Sequence, residues 1–157
     1  MSTDCAAHSG GCQCGAVRFR VTKLGRATLC HCRMCQKATA GIGSLLVLTK
    51  DLEWTRGSPK YFASSNIARR GFCGDCGTPL TYESDSGVDV SIVALDQPDT
   101  VPPHVQLAPE ARITWADKLP SLPPIAPAER DKAAKRAAII VSYQHPDHDT
   151  DVWKPRP

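Results

Sequence analysis

Seven of the eight cysteines in this 157-residue chain fall into three tight groups: Cys12-x-Cys14, Cys30-x-Cys32-x-x-Cys35 and Cys73-x-x-Cys76. A turn of the form Cys-x-Cys or Cys-x-x-Cys brings two sulfurs within tetrahedral reach of one ion, each about 2.3 Å from a zinc. Two such pairs from distant parts of a chain close a four-thiolate site with no open position, and Cys12 and Cys14 with Cys73 and Cys76 make such a set. Gly10, Gly11, Gly15, Gly74 and Gly77 beside them supply the backbone freedom that tight metal-binding turns require. The middle group, Cys30, Cys32 and Cys35, offers three ligands. Three protein ligands leave a fourth tetrahedral position for water or substrate, the pattern of a catalytic zinc. The expectation is two zinc ions per chain, one structural and one of catalytic type. The three middle sulfurs should converge, with the fourth corner facing a pocket or solvent unless Cys5 or a histidine fills it. Cys5 stands alone in a polar segment and reads as a free thiol.

Metal binding is preferred to disulfides on two grounds. Eight cysteines in 157 residues lie below the share of roughly 8–10% that marks a disulfide scaffold. The first residues, MSTDCAAHSGG, contain no apolar signal region, which points to the cytoplasm, where clustered cysteines stay reduced. No apolar run approaches a membrane span, so no membrane partner is expected. The net charge of +3 allows anionic small molecules as partners and is too mild to argue for nucleic acid. With 41% hydrophobic and 22% charged residues, the chain fits one soluble domain of ordinary size.

Around the cysteines the chain reads as short strands and turns. Val17, Phe19 and Val21 alternate with Arg18 and Arg20 as a half-buried strand does. Gly43 to Thr49 is a candidate central strand. Leu52 to Thr55 and Lys60 to Ala63 flank a turn at Arg56-Gly-Ser-Pro59, and Thr78 to Glu83 and Val88 to Leu95 form a further pair. Eight of the thirteen prolines lie between Pro98 and Pro127, with one candidate strand inside, Ala111 to Trp115. Pro127 is placed to open a short helix over Ala128 to Tyr143. Gln144 to Pro157 is polar and is expected to be loose. The fold class is mostly β, with a short C-terminal helix.

The segments Gly10-Gly-Cys12-Gln-Cys14-Gly-Ala-Val-Arg-Phe, Cys30-His-Cys32-Arg-Met-Cys35-Gln-Lys-Ala-Thr-Ala-Gly and Arg70-Gly-Phe-Cys73-Gly-Asp-Cys76-Gly-Thr-Pro-Leu resemble the glutathione-dependent formaldehyde-activating family, whose domain is shared with centromere protein V. The resemblance runs from about Gly10 to Leu119 and includes Ser64 to Arg69 and Leu95 to Pro98. It implies an Mss4-like fold of several coiled antiparallel β-sheets with two zinc ions. It also implies a structural role for Cys12, Cys14, Cys73 and Cys76 and a catalytic-type role for Cys30, Cys32 and Cys35. On this basis residues 8–120 form a zinc-binding domain of the formaldehyde-activating type, and residues 121–157 a C-terminal extension with a helix and a loose tail. The implied activity joins formaldehyde to glutathione as S-hydroxymethylglutathione, or cleaves it as a carbon–sulfur lyase.

The residues suit a thiol substrate such as glutathione. Three thiolates on a zinc ion still allow a fourth sulfur to bind with a lowered pKa, and a thiolate adding to a carbonyl carbon forms a hemithioacetal. His31, between two ligands, is the nearest candidate proton donor, and a packing histidine is its other reading. Arg33, Lys37, Arg69 and Arg70 could meet substrate carboxylates, or could form a solvated basic face. Trp54, Trp115 and Phe72 read as core aromatics, His145 and His148 as surface polarity, and Arg130 to Arg136 as a solvated helix face. The competing function is a non-catalytic zinc-binding module for protein or nucleic acid. An unsaturated zinc separates the two, because only an enzyme needs one.

Overall fold

The computed structural model describes residues 7–155. Cys5 lies outside the described residues. A small sheet contains β1 (His8–Gly11), β2 (Arg18–Val21) and β5 (Glu53–Arg56) in the order β1-β2-β5. A seven-stranded sheet is built from β3 (Leu24–Cys30), β4 (Ser44–Thr49), β6 (Lys60–Ala63), β7 (Ala68–Phe72), β8 (Pro79–Ser84), β9 (Gly87–Ser91) and β10 (Val105–Leu107). Its order is β10-β3-β4-β9-β8-β7-β6, antiparallel throughout except that β10 joins β3 in parallel. Helix α1 (Arg33–Thr39) follows the three-cysteine segment, and α2 (Pro127–Ala138) lies in the C-terminal part. The mostly β expectation holds.

Period-2 patterning explains β2: Phe19 and Val21 are fully buried and Arg20 between them is exposed. Phe19 meets Trp54 of β5 edge to face, with ring centroids 5.9 Å apart. These two join Val47, Leu80, Val90, Ile92 and Leu95, so one core runs from the small sheet to the centre of the large one. Arg18 breaks the apolar pattern and is nevertheless buried, because Asp96 and Asp149 surround its guanidinium.

Three elements and one side chain differ from the sequence reading. No strand forms over Ala111 to Trp115; Pro109 opens a 3-10 turn at Pro109–Ala111, and the strand of this region is β10, just before it. The strand begun at Val88 ends at Ser91, and Ile92–Ala94 winds into another 3-10 turn. Helix α2 stops at Ala138, where the β-branched run Ile139-Ile140-Val141 disfavours continuation. Trp115 is 53% exposed and therefore not a core aromatic.

The C-terminal segment docks, where the sequence reading had it loose. His145 donates its backbone N–H to the Gln13 carbonyl at 2.7 Å, and its ring packs beside Arg56 and Thr150. Asp149 accepts two hydrogen bonds from Arg18, and Trp153 Nε1 donates to the Cys14 carbonyl at 2.8 Å. Gly15, at φ +80°, makes the close approach possible: a Cβ there would sit 2.2 Å from the His145 ring.

Candidate metal and thiol site

The four-cysteine cluster forms where two turns face each other. Cys12 and Cys14 sit on the turn between β1 and β2, and Cys73 and Cys76 on the turn between β7 and β8. In each turn a backbone bond closes the loop, Gly15 N–H to the Cys12 carbonyl and Gly77 N–H to the Cys73 carbonyl. The four Sγ atoms lie within 4.8 Å of one another. Cys12 and Cys14 are 3.5 Å apart and Cys14 and Cys73 are 3.8 Å apart. Sulfurs at the corners of a tetrahedron with 2.3 Å bonds are separated by about 3.8 Å, so the set fits a single zinc-sized ion. Donors already point at these sulfurs: Val17 N–H reaches Cys12 Sγ at 3.2 Å, and Thr78 Oγ1 lies 3.2 Å from Cys76 Sγ. Burial pushes the Cys14 thiol well above the ordinary range. At Cys76 burial also pushes upward, but hydrogen bonds led by Thr78 outweigh it and bring that thiol down to about 6.

The second cluster, Cys30, Cys32 and Cys35, is local. Cys30 ends β3, Cys32 precedes the first residue of α1 and Cys35 lies in its first turn. Their sulfurs also lie within 4.8 Å of one another, and among the described residues no fourth histidine, cysteine or carboxylate joins them. Gln36, buried, holds this turn: its Nε2 donates to the His31 carbonyl at 2.7 Å and to the Ala111 carbonyl at 3.0 Å. Thr39 and Ser44 both donate to the Cys35 carbonyl. Burial raises the Cys30 thiol to about 12. Cys35 feels the same burial, yet hydrogen bonds from Ser44 and Arg70 carry it below the usual thiol value. A soft, anionic donor set of this kind suits zinc at both clusters.

The remaining candidates divide. Arg70, on β7, places Nη2 3.3 Å from Cys35 Sγ and lays its guanidinium over the Tyr82 ring. Its Nε is buried without a partner. Arg33 and Lys37, exposed on α1, line an opening together with Arg70. Arg69 is not brought to the site: strand alternation turns it to the other face, where it pairs with Glu83 at 2.7 Å and stacks on Tyr61. His31 is buried, with Nε2 2.9 Å from Gln106 Oε1 of β10 and Nδ1 without a partner. Gln36, Ser44, Tyr82 and Gln106 escaped the sequence reading. Only the tight Cys32 to Gln36 spacing could have pointed to any of them.

Two sheets joined through facing cysteine turns, with two cysteine clusters that could each hold a metal ion, define a cysteine-rich metal-site β protein. A family model described as glutathione-dependent formaldehyde-activating enzyme matches residues 7–117, and the chain belongs to that family. All seven clustered cysteines fall inside the match, and the docked C-terminal segment falls outside it. The fold is also similar to the crystal structure of a Rhodobacter sphaeroides protein, with a TM-score of 0.50 and 24% identity, covering 62% of this chain and 98% of that one. No curated protein matches the chain.

Proposed function

We propose that the protein is a zinc-dependent carbon–sulfur lyase that forms or cleaves a thiol–aldehyde adduct of the S-hydroxymethylglutathione type. The observation that carries this reading is the three-thiol cluster with no fourth side-chain ligand among the described residues, beside an arginine and an opening to solvent. Family membership supports glutathione as the thiol and an aldehyde as its partner. Cys12, Cys14, Cys73 and Cys76 would hold a structural zinc, and Cys30, Cys32 and Cys35 a second zinc with one corner free. Zinc bound at the second site supplies a Lewis acid that lowers the pKa of an incoming thiol.

The chain's own residues do the rest. Arg33, Lys37 and Arg70 present cations to the carboxylates of glutathione. His31, whose Nε2 lies 2.9 Å from Gln106 Oε1, is the proton carrier of this reading: with Nε2–H given to Gln106, its buried Nδ1 would accept the thiol proton. The sulfur's electron pair then forms the C–S bond while the carbonyl π pair moves to oxygen. That oxygen takes the proton held at Nδ1, and the reverse sequence releases the aldehyde. Gln36 and Ser44 keep the cysteine turn in place. The test is exchange NMR of labelled formaldehyde with glutathione, using zinc-loaded protein. Wild type should accelerate adduct exchange in both directions and Cys32→Ser should not. Loaded wild type that leaves the exchange at its spontaneous rate would refute the reading. No helix among the described residues is long and apolar enough to cross a membrane.

A further inference from the structure

One turn of α1 beyond Cys35, Ala38 and Thr39 line a cleft of about 320 Å³ between the helix and the large sheet. Its other walls include Leu46 of β4, Phe62 of β6, Phe72 of β7 and Leu80 of β8. A second opening of about 350 Å³ shares Ala38, Phe62 and Arg70 with the first, and carries Arg33 and Lys37. Two features tie this space to the three-thiol cluster. Arg70 lines both openings and hydrogen-bonds Cys35 Sγ at 3.3 Å. Thr39 and Ser44, which hold the Cys35 carbonyl at 3.0 and 3.2 Å, line the cleft as well.

The size and character of the cleft bear on the substrate. Formaldehyde has two heavy atoms and fills on the order of one or two water volumes, about 30 Å³ each. The cleft falls in the range of pockets that enclose much larger ligands. Thr39, Ser44, Arg70, Thr81 and Ser91 also line the cleft, but its exposed surface is mostly apolar, from side chains such as Ala38, Leu46, Phe62 and Phe72. A one-carbon aldehyde would leave most of that apolar surface in contact with water. We propose that the aldehyde this protein handles carries a medium-length alkyl or aryl group, seated between α1 and the sheet while the thiol's carboxylates face Arg33 and Lys37. The proposal rests on the three-thiol cluster being the site of thiol–aldehyde addition. The chemistry is unchanged: the thiol sulfur bonds to the carbonyl carbon, the π pair goes to oxygen, and the proton lost by the thiol ends on that oxygen. The product is an S-(1-hydroxyalkyl) thiol adduct.

Isothermal titration of the zinc-loaded full chain tests it with stable thioethers: S-methylglutathione, S-butylglutathione and S-hexylglutathione, and with hexan-1-ol alone. Each methylene that enters the cleft should tighten binding about two- to fourfold, so the hexyl conjugate should bind at least about 30-fold tighter than the methyl one. In Ala38→Phe, which puts a ring into the space, the ratio should fall to about threefold or less. If that variant does not fold, Phe62→Ala, at a side chain 63% exposed, should lower the ratio at least about threefold. Equal affinity across the conjugates overturns the proposal and leaves glutathione as the thiol standing. Binding of hexan-1-ol with no binding of any conjugate supports the apolar cleft and overturns glutathione. Failure of every probe overturns both, and a ratio unmoved in folded variants overturns the placement in this cleft.

Discussion

Replacing one cysteine in each cluster should separate a staple from a working site. Cys14 and Cys73 meet across 59 residues of chain, so a metal at that cluster closes a loop of about that length. The chain-entropy relation for a cross-link gives roughly 4 kcal/mol for such a loop. Cys30 to Cys35 closes only a few residues, for which the same relation gives roughly 2 kcal/mol. Cys32 also precedes α1 with no side-chain capping bond, and a serine there is a favoured cap, which offsets part of its loss. For a chain of this size about 1 kcal/mol moves the melting temperature by about 2–4 °C. Cys73→Ser should therefore lower the melting temperature by about 8–16 °C, and Cys32→Ser by at least about 4 °C less. Calorimetry of both variants, with zinc content measured on the same samples, reads the difference. Equal losses, or a Cys73→Ser protein with normal melting and full zinc, would refute the assignment of a staple to Cys12, Cys14, Cys73 and Cys76.

Four other changes test Arg18 and the docked C-terminal segment. Arg18→Met leaves the buried Asp96 carboxylate without its cation and should cost about 3–5 kcal/mol in urea unfolding, whereas Asp149→Asn, at a side chain 42% exposed, should cost about 1 kcal/mol or less. His145 has its pKa lowered, first by burial and then by the nearby Arg18 and Arg56 charges, so the folded state favours the neutral ring. Its contribution is complete above the unfolded pKa of about 6.5 and is lost as pH falls through the lower folded value, so the urea midpoint should drop between about pH 7.5 and about pH 5, and less so in His145→Gln. Deleting residues 144–157 removes the Trp153 bond to the Cys14 carbonyl and should speed zinc loss from the four-cysteine cluster to a chelator by about tenfold or more, read with a colorimetric zinc indicator.

The cysteine spacing carried most of what was legible in the sequence, because a Cys-x-Cys or Cys-x-x-Cys turn is a local object whose geometry does not depend on the rest of the fold. Both clusters assembled as that spacing implied. Strands with clear alternation, such as Arg18–Val21, or with a long apolar run, such as Ser44–Thr49, were equally readable. What stayed hidden depends on distant partners. Leu24–Cys30 has glycine and arginine in its first half and becomes a strand through pairing with β4 on one side and β10 on the other. Gln144 to Pro157 looks like a solvated tail by composition. It docks through partners far away in the chain: Arg18, 131 residues before Asp149, and the carbonyls of Gln13 and Cys14, which accept from His145 and Trp153. Arg69 and Arg70 were indistinguishable as adjacent cations until the pleat sent one to Glu83 and the other to Cys35.

That division between neighbouring arginines also links the two clusters. Arg70, on β7, lies three residues before Cys73, which directly follows the strand's last residue, a distance of about 10 Å at the usual rise. The four-cysteine cluster anchors the end of β7, and pairing with β8 fixes its register, with Arg70 opposite Tyr82. A slip of one residue would reverse the pleat, carrying Arg70 to the face of Glu83 and Arg69 toward Cys35. The Tyr82 ring then steadies the guanidinium 4.9 Å away, which leaves Nη2 for the sulfur. The turn of the four-cysteine cluster at the end of β7 and the pairing with β8 together decide which arginine faces the three-thiol cluster, and that arginine also forms a wall of the apolar cleft.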